Sequence, residues 1–186
     1  SPTLLVYGTS VFLSKYYTAA PLKLGYRGLG EITVWLGFGP FAVTLGALSQ
    51  NTPLGTWMIP FLPLTGLTTL TIQWYGQLMD YPADLASGKR GLVIRLGSGT
   101  ARYGYLTLHL LLLANFLIVV WVYPRLWWMF LAVLIVYLIL FPRLWMTVQR
   151  HHAHPQNLKA VSLYNGALYF ICSLLYLIGL GSLLLF

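Results

Sequence analysis

The stretch Asp80-Tyr81-Pro82-Ala83-Asp84, followed by Gly88-Lys89-Arg90 and then Arg95-Leu96-Gly97, is the ionic centre of an otherwise apolar chain. It holds two of the three acidic residues among 186, and Glu31 is the third. Carboxylates are costly beside hydrocarbon, so ionisable residues in such a chain are functional-site candidates by default. On both sides of this cassette the sequence runs apolar for roughly the 20 residues that a helix needs to cross a bilayer. Only 8% of the residues are charged and 58% are hydrophobic, whereas soluble domains carry about 25% charged residues. The strict alternation of barrel strands is absent. The expected fold is therefore all-α: a multi-pass transmembrane helical bundle of about five full spans plus a partial N-terminal one.

Working outward, residues 1–14 read as the end of a helix, and Lys15, Tyr16 and Tyr17 mark a membrane interface. Residues 18–31 form a Gly-rich loop with Lys23, Arg27 and Glu31. Further helices are expected over 32–49, 57–79, 103–122, 126 to about 146, and 160–186. Residues 80–102 are expected to be a long polar loop, and 143–159 a basic loop with His151, His152 and His154. Pro82 favours an extended Tyr81 and should end or kink the preceding helix there.

The charges also set a topology. Lys15, Lys23 and Arg27, then Lys89, Arg90, Arg95 and Arg102, then Arg143, Arg150 and Lys159 fall on alternate connections, and Arg125 stands alone on the other side. By the positive-inside rule the first three groups face the cytoplasm, which places the cassette and Glu31 on the same face. The net charge of +8 is thus a membrane-orientation signal, and nucleic acid is not an expected partner.

Two carboxylates four residues apart, followed at once by Lys-Arg, suit a diphosphate. Mg²⁺ is held by one or two carboxylates together with phosphate oxygens, and Lys and Arg neutralise the remaining phosphate charge. Taken alone, Asp80 and Asp84 fit equally well a solvated loop in which they offset Lys89 and Arg90, at about 0–1 kcal/mol per pair. Confinement of all three acids to one side of a hydrophobic protein favours the functional reading.

The cassette DYPADLASGKRGLVIRLG resembles the second aspartate-rich motif of the UbiA-type membrane prenyltransferases. The earlier loop YYTAAPLKLGYRGLGE, followed by Phe38-Gly39-Pro40, is similar to the branch that includes the 1,4-dihydroxy-2-naphthoate polyprenyltransferases of menaquinone synthesis. The two matches stand on consecutive cytoplasmic loops in the family's order. The resemblance implies one transmembrane prenyltransferase-like domain over 1–186, running from the end of the family's fourth helix to its ninth. The N-terminal helices with the first aspartate-rich motif would lie outside it. It implies Mg²⁺-dependent transfer of a polyprenyl or phytyl group from its diphosphate to an aromatic quinone precursor, with dihydroxynaphthoate, another quinone precursor and a chlorin ring open as acceptors. By the same resemblance Asp80 and Asp84 are catalytic metal ligands, Lys89, Arg90 and Arg27 bind diphosphate, and Glu31 and Tyr26 stand at the acceptor side. The expected setting is the plasma or inner membrane, or a thylakoid-type membrane in a phototroph.

A reading from a different class is a non-catalytic UbiA-like subunit that scaffolds a larger membrane complex or holds quinone or pigment. Its partners would be other membrane subunits, or the other half of the fold. The remaining polar residues have plainer readings. His109, Asn115 and Gln73 are expected to hydrogen-bond between helices. The three clustered histidines are expected at a solvated interface, and Cys172 in packing.

Overall fold

The computed structural model describes residues 1–185, and Phe186, the last residue of the expected final helix, lies outside it. The described residues form helices joined by turns and contain no strand. In hydrocarbon every backbone polar group must find an internal partner, and the helix achieves this within one segment.

The chain builds α1 (Pro2–Thr18), α2 (Gly30–Leu36), α3 (Ala42–Ser49), α4 (Leu62–Met79), α5 (Tyr81–Ala86), α6 (Leu92–Val122), α7 (Trp127–His151), α8 (Pro155–Ala160) and α9 (Ser162–Leu185). A π-helical turn over Gly37–Phe41 joins α2 and α3 into one rod. Pro40 lies inside that turn and lacks the N–H for the helical ladder. Thr65 Oγ1 on α4 donates to the Phe38 carbonyl at 2.6 Å, which ties the proline-containing turn to α4.

Among the described residues, four segments are long and apolar enough to cross a membrane: Gly30–Ser49, Leu92–Val122, Pro124–His151 and Ser162–Leu183. The rod α4, also expected as a span, falls outside this set. It carries Thr65, Thr68, Thr69, Thr71, Gln73 and Gln77, and it is the most enclosed rod, packing against the α2–α3 rod, α6, α8 and α9. Thr68, Thr69 and Thr71 return hydrogen bonds to their own helix, to Leu64, Thr65 and Thr68, so they sit inside without orphaned hydroxyls. Gly66 on α4 meets Gly39 of the π turn so closely that a Cβ on Gly66 would collide with the Trp35 carbonyl.

Two expected loops prove to be largely helical. Within 80–102 the chain forms α5 and then the start of α6, which breaks at Gly97 (φ 73°, ψ 150°) before continuing as the long span. Tyr81 is therefore helical, not extended: α4 stops at Met79 and α5 begins at once, with Pro82 in its first turn, where a missing N–H costs nothing. In the His-containing segment, α7 continues through Arg143 and Arg150 to His151, and α8 occupies 155–160.

Side-chain hydrogen bonds tie the rods together. Tyr75 Oη donates to the Leu158 carbonyl at 2.7 Å, and Tyr105 Oη to Asn165 Oδ1 at 2.7 Å. His109 Nδ1 pairs with Tyr137 Oη at 2.9 Å, and Asn115 Nδ2 donates to the Pro60 carbonyl at 3.2 Å. His109 thus makes the expected interhelical bond, Asn115 instead reaches the turn ahead of α4, and Cys172 is buried in the core. The connections fall into two groups. Arg95 contacts the Arg27 carbonyl, Arg102 the Gln149 carbonyl, and His152 the Ser98 hydroxyl, which gathers the basic segments at one end. Tyr123 bonds the Trp57 carbonyl at the other.

Candidate functional site

At the basic end, α4 delivers the chain to Asp80, which caps its C-terminus and opens α5. The Asp84 amide donates to the Asp80 carbonyl at 2.8 Å, so the two carboxylates stand one helical turn apart. Their settings differ. Asp80 is exposed, and its carboxylate has no hydrogen bond or ion pair among the described residues. Asp84 Oδ2 accepts from Lys89 Nζ at 2.7 Å, the one ion pair among the described residues. Burial opposes the charged form of Lys89, but the hydrogen bond and charge of Asp84, with Tyr17 and Asp80 nearby, outweigh it and raise its pKa above that of an ordinary lysine.

Glu31, in the first turn of α2, is 3% exposed. Its Oε1 accepts from Gln77 Nε2 and from the Leu92 backbone amide, both at 3.1 Å. Its Oε2 is buried without a partner. Glu31 thus lies beneath the cassette, wedged between α4 and the start of α6.

Beside this cluster opens a cavity of about 390 Å³ between α1, the α2–α3 rod and α4. Leu13, Val34 and Phe38 give it apolar walls, and Tyr17 and Gln73 form a polar boundary. Gln73 Nε2 donates to Tyr17 Oη at 2.9 Å. Tyr17 thus lines the cavity and also adds to the electrostatic surroundings of Lys89. A neighbouring cavity, about 350 Å³, shares Phe38 and Thr69 with the first and is lined further by Phe116, Tyr169 and Tyr176. Each has the size of a small-molecule pocket.

The structure brings together Asp80, Asp84, Lys89 and Glu31. Arg90 is exposed at the end of the cassette. Arg27 is exposed too, and its guanidinium turns back to the Pro21 carbonyl at 2.9 Å. Tyr26 is exposed on the short turn Leu24–Tyr26. Arg95 connects the two loops, donating to the Arg27 carbonyl and to the Arg90 carbonyl at 2.8 Å. Arg95 is thus more than a topological charge and Tyr17 more than an interface marker. Gln73 makes the expected interhelical hydrogen bond, and Gln77 joins the site through Glu31. The available signal was the Gln73–Gln77 spacing, one helical turn, just before Asp80.

The histidines serve local structure. His151 pairs with Asn157 and His152 with Ser98. Burial, then the charges of Arg102 and His154, lower the pKa of His152.

As donors, Asp80 and Asp84 are hard oxygens one turn apart, the kind Mg²⁺ takes. Among the described residues no group of three His, Cys, Asp or Glu side chains converges, so a cation here would be held by two protein carboxylates plus oxygens from elsewhere.

Comparison with known proteins adds an independent line. The profile of the UbiA prenyltransferase family matches residues 1–174. The chain is 32% identical over 91 residues to a 2-carboxy-1,4-naphthoquinone phytyltransferase of Synechocystis, covering 49% of this chain and 30% of the relative. It is 32% identical over 102 residues to the chloroplastic protein of that name from Arabidopsis thaliana, covering 51% and 27%. It is 33% identical over 109 residues to a 1,4-dihydroxy-2-naphthoate octaprenyltransferase of Escherichia coli, covering 53% and 32%. The match thus takes in under a third of each relative's length. No solved structure matches the chain.

Proposed function

The chain belongs to the UbiA prenyltransferase family, and from that premise we propose that it forms the diphosphate-binding part of a membrane enzyme that transfers a prenyl group from its diphosphate to an aromatic acceptor. The observation that carries this reading is the carboxylate–lysine cluster placed about two turns along the chain from Gln73 of α4, which lines an apolar cavity. A prenyl diphosphate has that polarity: a polyanionic head and a hydrocarbon tail. The relatives' names favour a naphthoate-type acceptor.

In this reading Asp80 and Asp84 hold a divalent cation, Mg²⁺ being the best fit to carboxylate oxygens. When bound, the cation neutralises charge on the departing diphosphate. Lys89, protonated throughout the physiological range, adds a fixed positive charge beside the head group. Arg90 and Arg27, both exposed and tied to one another through Arg95, supply further positive charge for phosphate oxygens at this end, with Tyr26 on the turn ahead of α2 and Glu31 in its first turn. The allylic C–O bond breaks with its electron pair leaving on the diphosphate, a ring carbon forms the new C–C bond, and loss of the ring substituent as a proton or carbon dioxide restores aromaticity. The apolar walls exclude water, which would otherwise capture the allylic cation. The basic end of the bundle faces the cytoplasm by the positive-inside rule.

The test is transfer activity in membranes carrying the protein at its native length. Asp80→Ala and Asp84→Ala should each abolish metal-dependent prenyl transfer while the protein still accumulates. Unchanged turnover in both variants would remove the enzyme reading and leave a non-catalytic subunit.

A further inference from the structure

Glu31 is a buried carboxylate with one oxygen doubly used and the other unpartnered. An isolated buried carboxylate is expensive, and a hydrophobic protein with three acids has placed one of them out of water. Its two partners explain the location. Gln77 precedes Asp80 by three residues, and Leu92 follows Arg90 by two. One oxygen of Glu31 therefore holds both ends of the segment that contains Asp80, Asp84, Lys89 and Arg90.

The fit is close at this point. A Cβ on Gly91 would lie 3.2 Å from Glu31 Oε1 and 3.3 Å from the Gln77 side-chain oxygen. The two bonds also bridge separate elements, since Gln77 is near the C-terminus of α4 and Leu92 is the first residue of α6. Within the segment the chain is held by local bonds, Lys89 to Asp84 and Ser87 to the Asp84 carbonyl. Those bonds shape the turn but do not orient it on the bundle.

We infer that Glu31 is a positioning residue, which closes the cassette at its base and sets the carboxylates and Lys89 relative to α4. It acts through Gln77 and Leu92 and touches no substrate. This rests on the reading of the cassette as a diphosphate site and moves Glu31 from the acceptor side to the diphosphate side of that site. The glutamate side chain also has a simple conservative replacement: glutamine keeps an oxygen where Oε1 stands and puts an amide where the unpartnered oxygen is.

Two measurements test it on the native-length protein. The first is hydrogen exchange of the detergent-purified protein, which needs no activity. Glu31→Ala should accelerate exchange of the amides of 81–92 by about tenfold or more, the scale of a lost hydrogen bond to a charged group, and leave the α7–α9 amides unchanged. Glu31→Gln should restore protection. Unchanged exchange at 81–92 in Glu31→Ala, or acceleration spread evenly over the bundle, overturns the proposal. The second is the kinetic split. Glu31→Ala should raise the KM for prenyl diphosphate about tenfold while the KM for the aromatic acceptor stays within about twofold, and Glu31→Gln should recover most of the loss. A rise confined to the acceptor KM overturns it. Should Glu31→Ala fail to accumulate, Gln77→Leu removes one of the two bonds and is read in the same way. If the aspartate variants leave transfer intact, the functional reading falls, and the exchange measurement still decides the role of Glu31.

Discussion

Lys89 Nζ lies 2.7 Å from Asp84 Oδ2, with side-chain exposures of 25% and 15%. The pair occupies the shielded side of a turn whose other carboxylate, Asp80, faces water. The lysine's pKa is raised above 10.5 in the folded protein. The sign of the consequence is fixed: a base with a raised folded-state pKa adds stability that is fully present below its unfolded value and is lost as the pH climbs through the folded one. The thermal midpoint in detergent should therefore show no Lys89-dependent change between pH 6 and about 9. Above pH 10.5 the wild type should lose an increment that Lys89→Met, which lacks the ammonium at every pH, does not lose.

Asp80 and Asp84 should part company in stability. Asp80→Asn removes a charge that makes no hydrogen bond or ion pair among the described residues, and thermal unfolding should move by no more than about 0.5 kcal/mol. Asp84→Asn breaks the pair with Lys89 and should cost up to about 1 kcal/mol. Both should lose transfer activity, so unfolding and turnover measured on the same preparations separate the metal-ligand role from the structural one.

Gly66→Ala should destabilise the bundle by about 1–3 kcal/mol. The added Cβ would meet the Trp35 carbonyl, a backbone atom that cannot rotate away, with the Gly39 Cα at 3.1 Å. The α2–α3 rod would have to back off from α4, which moves Phe38 and widens the cavity. Chemical unfolding of the variant in detergent reads the cost.

Thr69 lines both cavities, so Thr69→Trp should fill space in each. The expected result is a KM for long prenyl diphosphates raised about tenfold or more and a smaller effect on the shortest allylic diphosphate, read by comparing chain lengths in the same membranes. An equal effect at all lengths would place the tail elsewhere.

Thr65→Val tests the tie between the π turn and α4. The Phe38 carbonyl would lose its partner at 2.6 Å, at a cost of about 0.6–1.7 kcal/mol, the range for side-chain hydrogen bonds within membranes. Thr65→Ser keeps the hydroxyl and should behave as the wild type in thermal unfolding.

Much of the architecture is legible in the chain itself. Long apolar runs in a protein with 8% charged residues leave few structures other than membrane helices, because backbone groups in hydrocarbon must be satisfied within their own segment. The clustering of basic residues on alternate connections is equally local, and the structure gathers those connections at one end. The spacing of Asp80, Asp84, Lys89 and Arg90 marked the cassette before any fold was known.

Other features depended on contacts distant in sequence. That the polar rod α4 would lie inside the bundle is hidden from hydropathy, since Thr68, Thr69 and Thr71 satisfy themselves within the helix. That 80–102 would be helical followed from Pro82 landing in a first turn, where its ring is welcome, and not in a helix interior. The cavity exists because Tyr17 and Gln73, 56 residues apart, meet across two rods. Glu31 reached Gln77 and Leu92 over 46 and 61 residues. The sequence by itself determined helices, membrane and charge, because those follow from local composition and the solvent's demand on the backbone. Only the tertiary structure decided which polar atoms pair, because a hydrogen bond depends on distances of about 3 Å that chain order does not contain.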